Sequence, residues 1–163
     1  MLHPNILEHA SEVIQLCLSK NCKVATIESC TGGLISAALT AVSGASDVVD
    51  RGFITYSNEA KNQLVGVPIK LIETYGAVSE EVARAMAEGG LRRSIANITI
   101  SVTGIAGPGG GTETKPVGLV HFACASENNP TSSYFEVFSG DRSGVREATV
   151  IKAFDMIETA VKV

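Results

Sequence analysis

The chain has 163 residues, 45% hydrophobic and 18% charged, enough for one well-packed domain and incompatible with intrinsic disorder. Only 5% are aromatic and Trp is missing, which argues against a stacking platform for single-stranded nucleic acid. The net charge of −4 disfavours a broad basic face for DNA or RNA, though not a local basic pocket.

In chain order, Ile6, Leu7, Ala10, Val13, Ile14, Cys17 and Leu18 recur at helical spacing and predict an amphipathic helix over residues 4–20. Lys23 to Ile27 reads as a short buried strand. Thr31-Gly32-Gly33 turns the chain into a helix carrying Leu34, Ile35, Ala38, Leu39 and Val42, with Thr31 as its expected cap. A second strand is expected over Gly52–Tyr56, a short helix over Asn58–Val65, and another begun by Pro68. Ser79 is a good N-cap, and Glu80 and Glu81 suit the positive end of the helix dipole that follows. Ile98, Ile100 and Val102 alternate with Thr99 and Ser101 in a third strand. Val117–Ala125 and Tyr134–Phe138 read as a hairpin, and a last helix spans about residues 143–161. Neither a composition shift nor a repeat divides residues 1–163, so one domain is expected. Helices between the early strands and none between the last two predict a three-layer α/β/α sandwich. Its sheet is expected to be mixed, mostly parallel, with about five or six strands.

No apolar run reaches the ~18 residues of a membrane span, and the N-terminus lacks the pattern of a signal peptide. A cytoplasmic protein with no membrane or nucleic-acid partner is the expectation. The four cysteines, Cys17, Cys22, Cys30 and Cys124, contain no C-x-x-C pair or zinc spacing. Cys17, Cys22 and Cys124 are expected as free, mostly buried thiols, and neither metal nor cofactor is expected.

Four segments could carry chemistry. Glu28-Ser29-Cys30-Thr31-Gly32-Gly33 sits at a strand-to-helix turn, where α/β sheets bind ligands and free N–H groups point outward. Ser29 or Cys30 could be a nucleophile there. The segment also reads simply as a capped tight turn, because it is not the G-x-S-x-G elbow. Thr103-Gly104-Ile105-Ala106-Gly107-Pro108-Gly109-Gly110-Gly111 is too glycine-rich for an ordinary connection. It is neither a Walker A loop nor a dinucleotide fingerprint, and it reads as a phosphate cradle or a surface lid. Within Tyr56-Ser57-Asn58-Glu59-Ala60-Lys61, Lys61 becomes a general base if a dry pocket lowers its pKa. Arg142 and Arg146, four apart at the start of the last helix, could grip a phosphate or pair on the surface. A Cys30–His121 dyad is a further alternative.

Taken together, these segments resemble the CinA C-terminal domain, the family of competence/damage-inducible proteins and nicotinamide mononucleotide deamidases. Gly76-Ala77-Val78-Ser79-Glu80, Lys115-Pro116-Val117-Gly118 and Gly140-Asp141-Arg142 extend the resemblance over nearly the whole chain. It is to the stand-alone deamidase form, without the long N-terminal domain of two-domain members. The resemblance implies hydrolysis of nicotinamide mononucleotide to nicotinate mononucleotide and ammonia, with Ser29 as nucleophile and Lys61 as its partner. The expected mechanism is acyl transfer. Lys61 takes the Ser29 proton, and N–H groups of Cys30, Thr31, Gly32 and Gly33 hold the oxyanion. Tyr56 and Thr103 orient Lys61, the leaving group or the water. Gly104, Gly107, Gly109 and Gly110, with Arg142 or Arg146, bind the phosphate. A homodimer is the expected assembly. The rivals are a nucleotide-binding module without turnover and a Cys30-based amidase.

Overall fold

The computed structural model describes residues 1–163 and places a five-stranded sheet between two helical layers. The elements in chain order are α1 (Pro4–Ser19), β1 (Val24–Glu28), α2 (Leu34–Thr40), β2 (Val49–Ile54) and α3 (Asn58–Val65). They continue with α4 (Ile69–Tyr75), α5 (Glu80–Arg92), β3 (Ile98–Gly104), β4 (Leu119–Ser126), β5 (Ser132–Val137) and α6 (Arg142–Lys162). The strand order is β2-β1-β3-β4-β5. β1 runs parallel to both β2 and β3, while β4 and β5 add antiparallel neighbours beyond β3. The three-layer mixed sheet is therefore as the sequence predicts. The second strand begins three residues before its predicted start and ends two before its predicted end, because Val49 to Ile54 pair with β1 and the chain then leaves the sheet.

The period-2 alternation of β3 assigns its faces. Ile98, Ile100 and Val102 join Val120, Phe122 and Cys124 of β4 in the larger core, against α1, α2 and α6. The intervening Thr99 and Ser101 face α5 and donate to the carbonyls of Ala87 (2.7 Å) and Ala83 (2.6 Å). Helix α5 can approach that closely because its inner face is small: Ala83 and Ala87 pack on Ala123 and Ala125. Gly89 continues this close contact. A Cβ there would sit 1.9 Å from the Val65 carbonyl oxygen, so the glycine sets how near α3, the helix bearing Lys61, lies to α5.

Ser79 caps α5 as predicted, accepting from the Val82 N–H at 3.3 Å. The parallel topology brings the C-terminal ends of β1, β2 and β3 to one edge of the sheet, and the order reverses at β1/β3, where open α/β sheets form their binding crevice. No helix is long and apolar enough to cross a membrane.

Candidate active site

The turn after β1 is organised by a buried carboxylate. Helix α2 begins at Gly33, whose φ of +101° a residue with a side chain rarely adopts and which has no side chain to cap the helix. Glu28, the last residue of β1, supplies the cap instead. Its Oε1 accepts from the Ile35 N–H (2.8 Å) and the Thr31 hydroxyl (2.7 Å), and its Oε2 accepts from the Ser36 N–H (3.0 Å) and the Thr26 hydroxyl (3.2 Å). Thr31 is thus not the helix cap the sequence pattern predicted. It donates to the residue that is, because the two glycines swing the helix start back toward the strand. Arg146 of α6 closes the turn from the other side, its Nη2 donating to the Thr31 carbonyl at 2.9 Å.

This turn presents Ser29, which is buried but borders a cleft of about 200 Å³. Lys61, on the first turns of α3 and 1% exposed, places Nζ 3.1 Å from Ser29 Oγ. The same Nζ lies 2.9 Å from the Thr55 carbonyl oxygen and 3.4 Å from that of Tyr56. A neutral amine has two hydrogens and one lone pair. The three oxygens match the three N–H donors of an ammonium; once the amine is neutral, its two hydrogens can stay on the carbonyls and its lone pair faces the Ser29 hydroxyl. Burial holds the Lys61 pKa below the usual lysine range, in the direction that empties that lone pair of its proton. Cys30, next in sequence, is buried, and burial pushes its thiol up to about 12, so it remains protonated at neutral pH. No backbone carbonyl accepts from the N–H groups of Cys30, Thr31 and Gly33.

The cleft gathers Ser29, Cys30, Tyr56, Lys61, Thr103, Gly104 and Arg142 from segments far apart in the chain. Tyr56 meets Lys61 through its carbonyl; its phenol, on an exposed side chain, accepts from Arg142 Nη2 at 3.1 Å. Arg142 Nη1 donates to the Gly107 carbonyl at 2.7 Å, so the arginine ties the glycine loop to the end of β2 across the rim. Thr103 makes no hydrogen bond to Lys61. Its hydroxyl donates to the Ala77 carbonyl at 2.8 Å and fixes the Ala77-Val78 wall of the cleft. A neighbouring cavity of about 440 Å³ shares Ala106 and Arg142 and reaches Gly140, Asp141 and Ser143 at the start of α6.

Thr31, Gly32, Gly33, Gly107, Gly109, Gly110 and Arg146 do not line the cleft. Gly109 and Gly110 are exposed, and Arg146 is bound into the Thr31 turn. His121 points away from Cys30, stacking on Phe135 beside Glu80 and Ser133. Lys115 donates to the Tyr75 carbonyl at 2.7 Å. Sequence reasoning missed Glu28 as the turn's organiser and the Thr55 carbonyl as a Lys61 partner. An acidic residue ending an otherwise apolar strand was the available signal for the first; a backbone carbonyl leaves no signal in sequence. The three ligand-type side chains that converge most closely, His9, Glu12 and Glu158, lie on α1 and α6 and outside the cleft.

These features define an α/β domain with a buried Ser–Lys pair at the strand ends. The CinA C-terminal domain family matches residues 7–161, and the chain belongs to that family. A solved structure of the competence/damage inducible protein CihA from Agrobacterium tumefaciens is 44% identical, with TM-score 0.95 over 100% of this chain and 99% of that one. The competence damage-inducible protein A of Klebsiella pneumoniae is 33% identical, with TM-score 0.90 over 94% of this chain and 95% of its own. A Caldicellulosiruptor bescii protein, named as competence-damage inducible, is 53% identical over 149 residues, 91% of this chain and 36% of its own length. A CinA-like protein of Anaeromyxobacter dehalogenans is 46% identical over 140 residues, 86% of this chain and 34% of its own length. The chain thus spans about a third of the length of these two curated relatives.

The carboxylate of Glu28 should be indispensable to the turn. Glu28→Ala leaves the Ile35 and Ser36 N–H groups buried without an acceptor. It is expected to cost about 2–4 kcal/mol in urea unfolding, against only a few tenths for an exposed carboxylate such as Glu73→Ala.

Proposed function

We propose that this domain is an amidohydrolase that converts nicotinamide mononucleotide to nicotinate mononucleotide and ammonia through a Ser29 acyl-enzyme. The observation that carries the reading is the buried Lys61 Nζ, 3.1 Å from Ser29 Oγ, held by two carbonyls, with no carboxylate hydrogen-bonded to it and with burial lowering its pKa. Membership of the CinA C-terminal domain family supports it.

Lys61 accepts the Ser29 proton as Oγ attacks the carboxamide carbon. The free N–H groups of Cys30 and Thr31 are the donors available for the developing oxyanion. Lys61, now protonated, returns its proton to the departing nitrogen, and ammonia leaves. Water, deprotonated by Lys61, then releases the acid. The small cleft takes the pyridine carboxamide. The adjoining cavity takes the ribose and phosphate, with Arg142 between them and the N–H groups of Ala106 and Gly107 free of protein acceptors. Cys30 serves as packing, since a thiol raised to about 12 is a poor nucleophile at neutral pH.

Ammonia release from nicotinamide mononucleotide tests the assignment. Ser29→Ala is expected to abolish it, by several orders of magnitude, while Cys30→Ala keeps most of it. Normal turnover in Ser29→Ala, or no turnover by the natural chain, removes the proposal; the latter leaves a nucleotide-binding module.

The pH dependence follows from the direction of the Lys61 shift. The base works when neutral, so kcat/KM should rise about tenfold per pH unit and level off at a pH below 10.5, the ordinary lysine value. The unfolded chain binds the Lys61 proton more tightly than the folded one, so this group costs stability at neutral pH. That cost disappears as pH rises toward 10.5. Lys61→Met should therefore be inactive yet no less stable than the natural chain at pH 7, by thermal melting.

The two arginines should separate. Arg142→Ala is expected to lower kcat/KM on the nucleotide by roughly 30- to 1000-fold and to affect the riboside, which lacks the phosphate, far less. Arg146→Ala, which opens the Thr31 turn, should lower activity on both compounds alike and lower the melting temperature. Equal losses on both compounds from Arg142→Ala would remove the phosphate role.

A further inference from the structure

We propose that Cys17 and Cys22 form a two-electron redox site, closed to an intramolecular disulfide by hydroperoxides and reopened by thiols. The site lies outside the catalytic cleft and does not depend on the deamidase reading.

The geometry comes from how α1 ends. Asn21 has a φ of +49° and is the only residue other than glycine with a positive φ. Its N–H donates to the Leu18 carbonyl at 3.2 Å, and the Cys22 N–H reaches back five residues to the Cys17 carbonyl at 3.0 Å. This pair of bonds is a Schellman motif, which sets the residue after the left-handed one beside the residue five before it. Those two positions ordinarily share an apolar contact; here both are cysteine. Bond lengths on either side of a 3.0 Å hydrogen bond keep the two α-carbons within about 7 Å, close to the span that disulfides accept without backbone movement.

The two thiols are unequal in the way a redox pair needs. Cys17 is wholly buried, whereas Cys22 is half-buried and borders an open cleft of about 360 Å³ with Lys20, Asn21 and Asn97. The Cys22 Sγ lies 3.9 Å from the Lys23 carbonyl oxygen, while the neighbouring Cys22 thiol and burial together raise the pKa of Cys17. Cys30 and Cys124 are buried, and burial pushes both up to about 12. Cys22 is therefore the attacking sulfur and Cys17 the resolving one.

The Cys22 sulfur takes the terminal oxygen of a hydroperoxide; an S–O bond forms, the O–O bond breaks, and an alcohol, or water from hydrogen peroxide, leaves with the Cys22 proton. The Cys17 sulfur then attacks the sulfenic acid. The S–S bond forms, the S–O bond breaks, and water leaves with the Cys17 proton. The sulfurs give up two electrons, and the peroxide oxygen receives them.

The test uses the full chain, reduced, desalted, exposed to a few equivalents of hydrogen peroxide and then alkylated. Intact mass should fall by about 2 Da before alkylation and recover with dithiothreitol. Trypsin cuts after Lys20 and Lys23, so the disulfide should appear as Met1–Lys20 joined to the tripeptide Asn21-Cys22-Lys23. The Cys22 thiol should be lost at least ~10-fold faster than that of Cys30 or Cys124. Cys22→Ser, at a half-buried position, should form no disulfide, and Cys124→Ala should form it as the natural chain does. A Cys22–Cys124 link, a disulfide between chains, Cys22 stopping at sulfinic acid, or unchanged mass in the natural chain would each overturn the proposal.

Discussion

The Glu28 carboxylate is the constraint on which the site depends. It accepts four hydrogen bonds within the protein, two from the backbone of α2, and all are buried or nearly so. A carboxylate out of water is costly unless its oxygens are satisfied, so the turn has few alternative arrangements once Glu28 is inside. Ser29 is the next residue. Its own N–H donates to the Val102 carbonyl of β3 at 3.0 Å, so Ser29 is pinned to the sheet on one side and to the cap on the other. Two glycines in left-handed conformations then let α2 start directly above the carboxylate.

The second constraint is the desolvation of Lys61. The chain buries an amine among carbonyls, a hydroxyl and apolar neighbours without a carboxylate to pair it. In a domain selected for stability alone this position would favour an apolar residue, since burial disfavours the charged ammonium. The geometry is instead maintained by tight backbone packing. Gly89 lets α5 touch the last turn of α3, and Arg93 reaches the Val65 carbonyl at the end of that helix at 3.1 Å. The position of Lys61 beside Ser29 and the close packing of α5 on α3 are thus one mechanical problem: moving α3 moves Nζ.

The junction between α1 and β1 is built in the opposite way. There the Cys17–Cys22 pair is set by a helix terminus alone, with local hydrogen bonds and no long-range partner. A local motif suffices to bring together two groups five residues apart, whereas Ser29 and Lys61, thirty-two residues apart, need a parallel strand pair and a helix to meet.

Much of this was legible from residue order. Alternation in Ile98–Val102, the helical spacing of Ile6 to Leu18, and Ser79 before two glutamates specify local structure, because backbone periodicity and capping act within a few residues. The motif residues around Ser29, Lys61, Thr103 and Arg142 also stood out as segments, and their resemblance to one family joined them. The sequence did not determine which atoms do what. Tyr56 serves Lys61 through a carbonyl, Thr103 supports a wall, Arg146 closes a turn, and Arg142 alone of the two arginines borders the cleft. Carbonyl oxygens are common to every residue, and side-chain direction depends on how α6, the glycine loop and β2 converge. Those roles were decided only when the sheet order β2-β1-β3-β4-β5 brought the ends of β1, β2 and β3 to one edge.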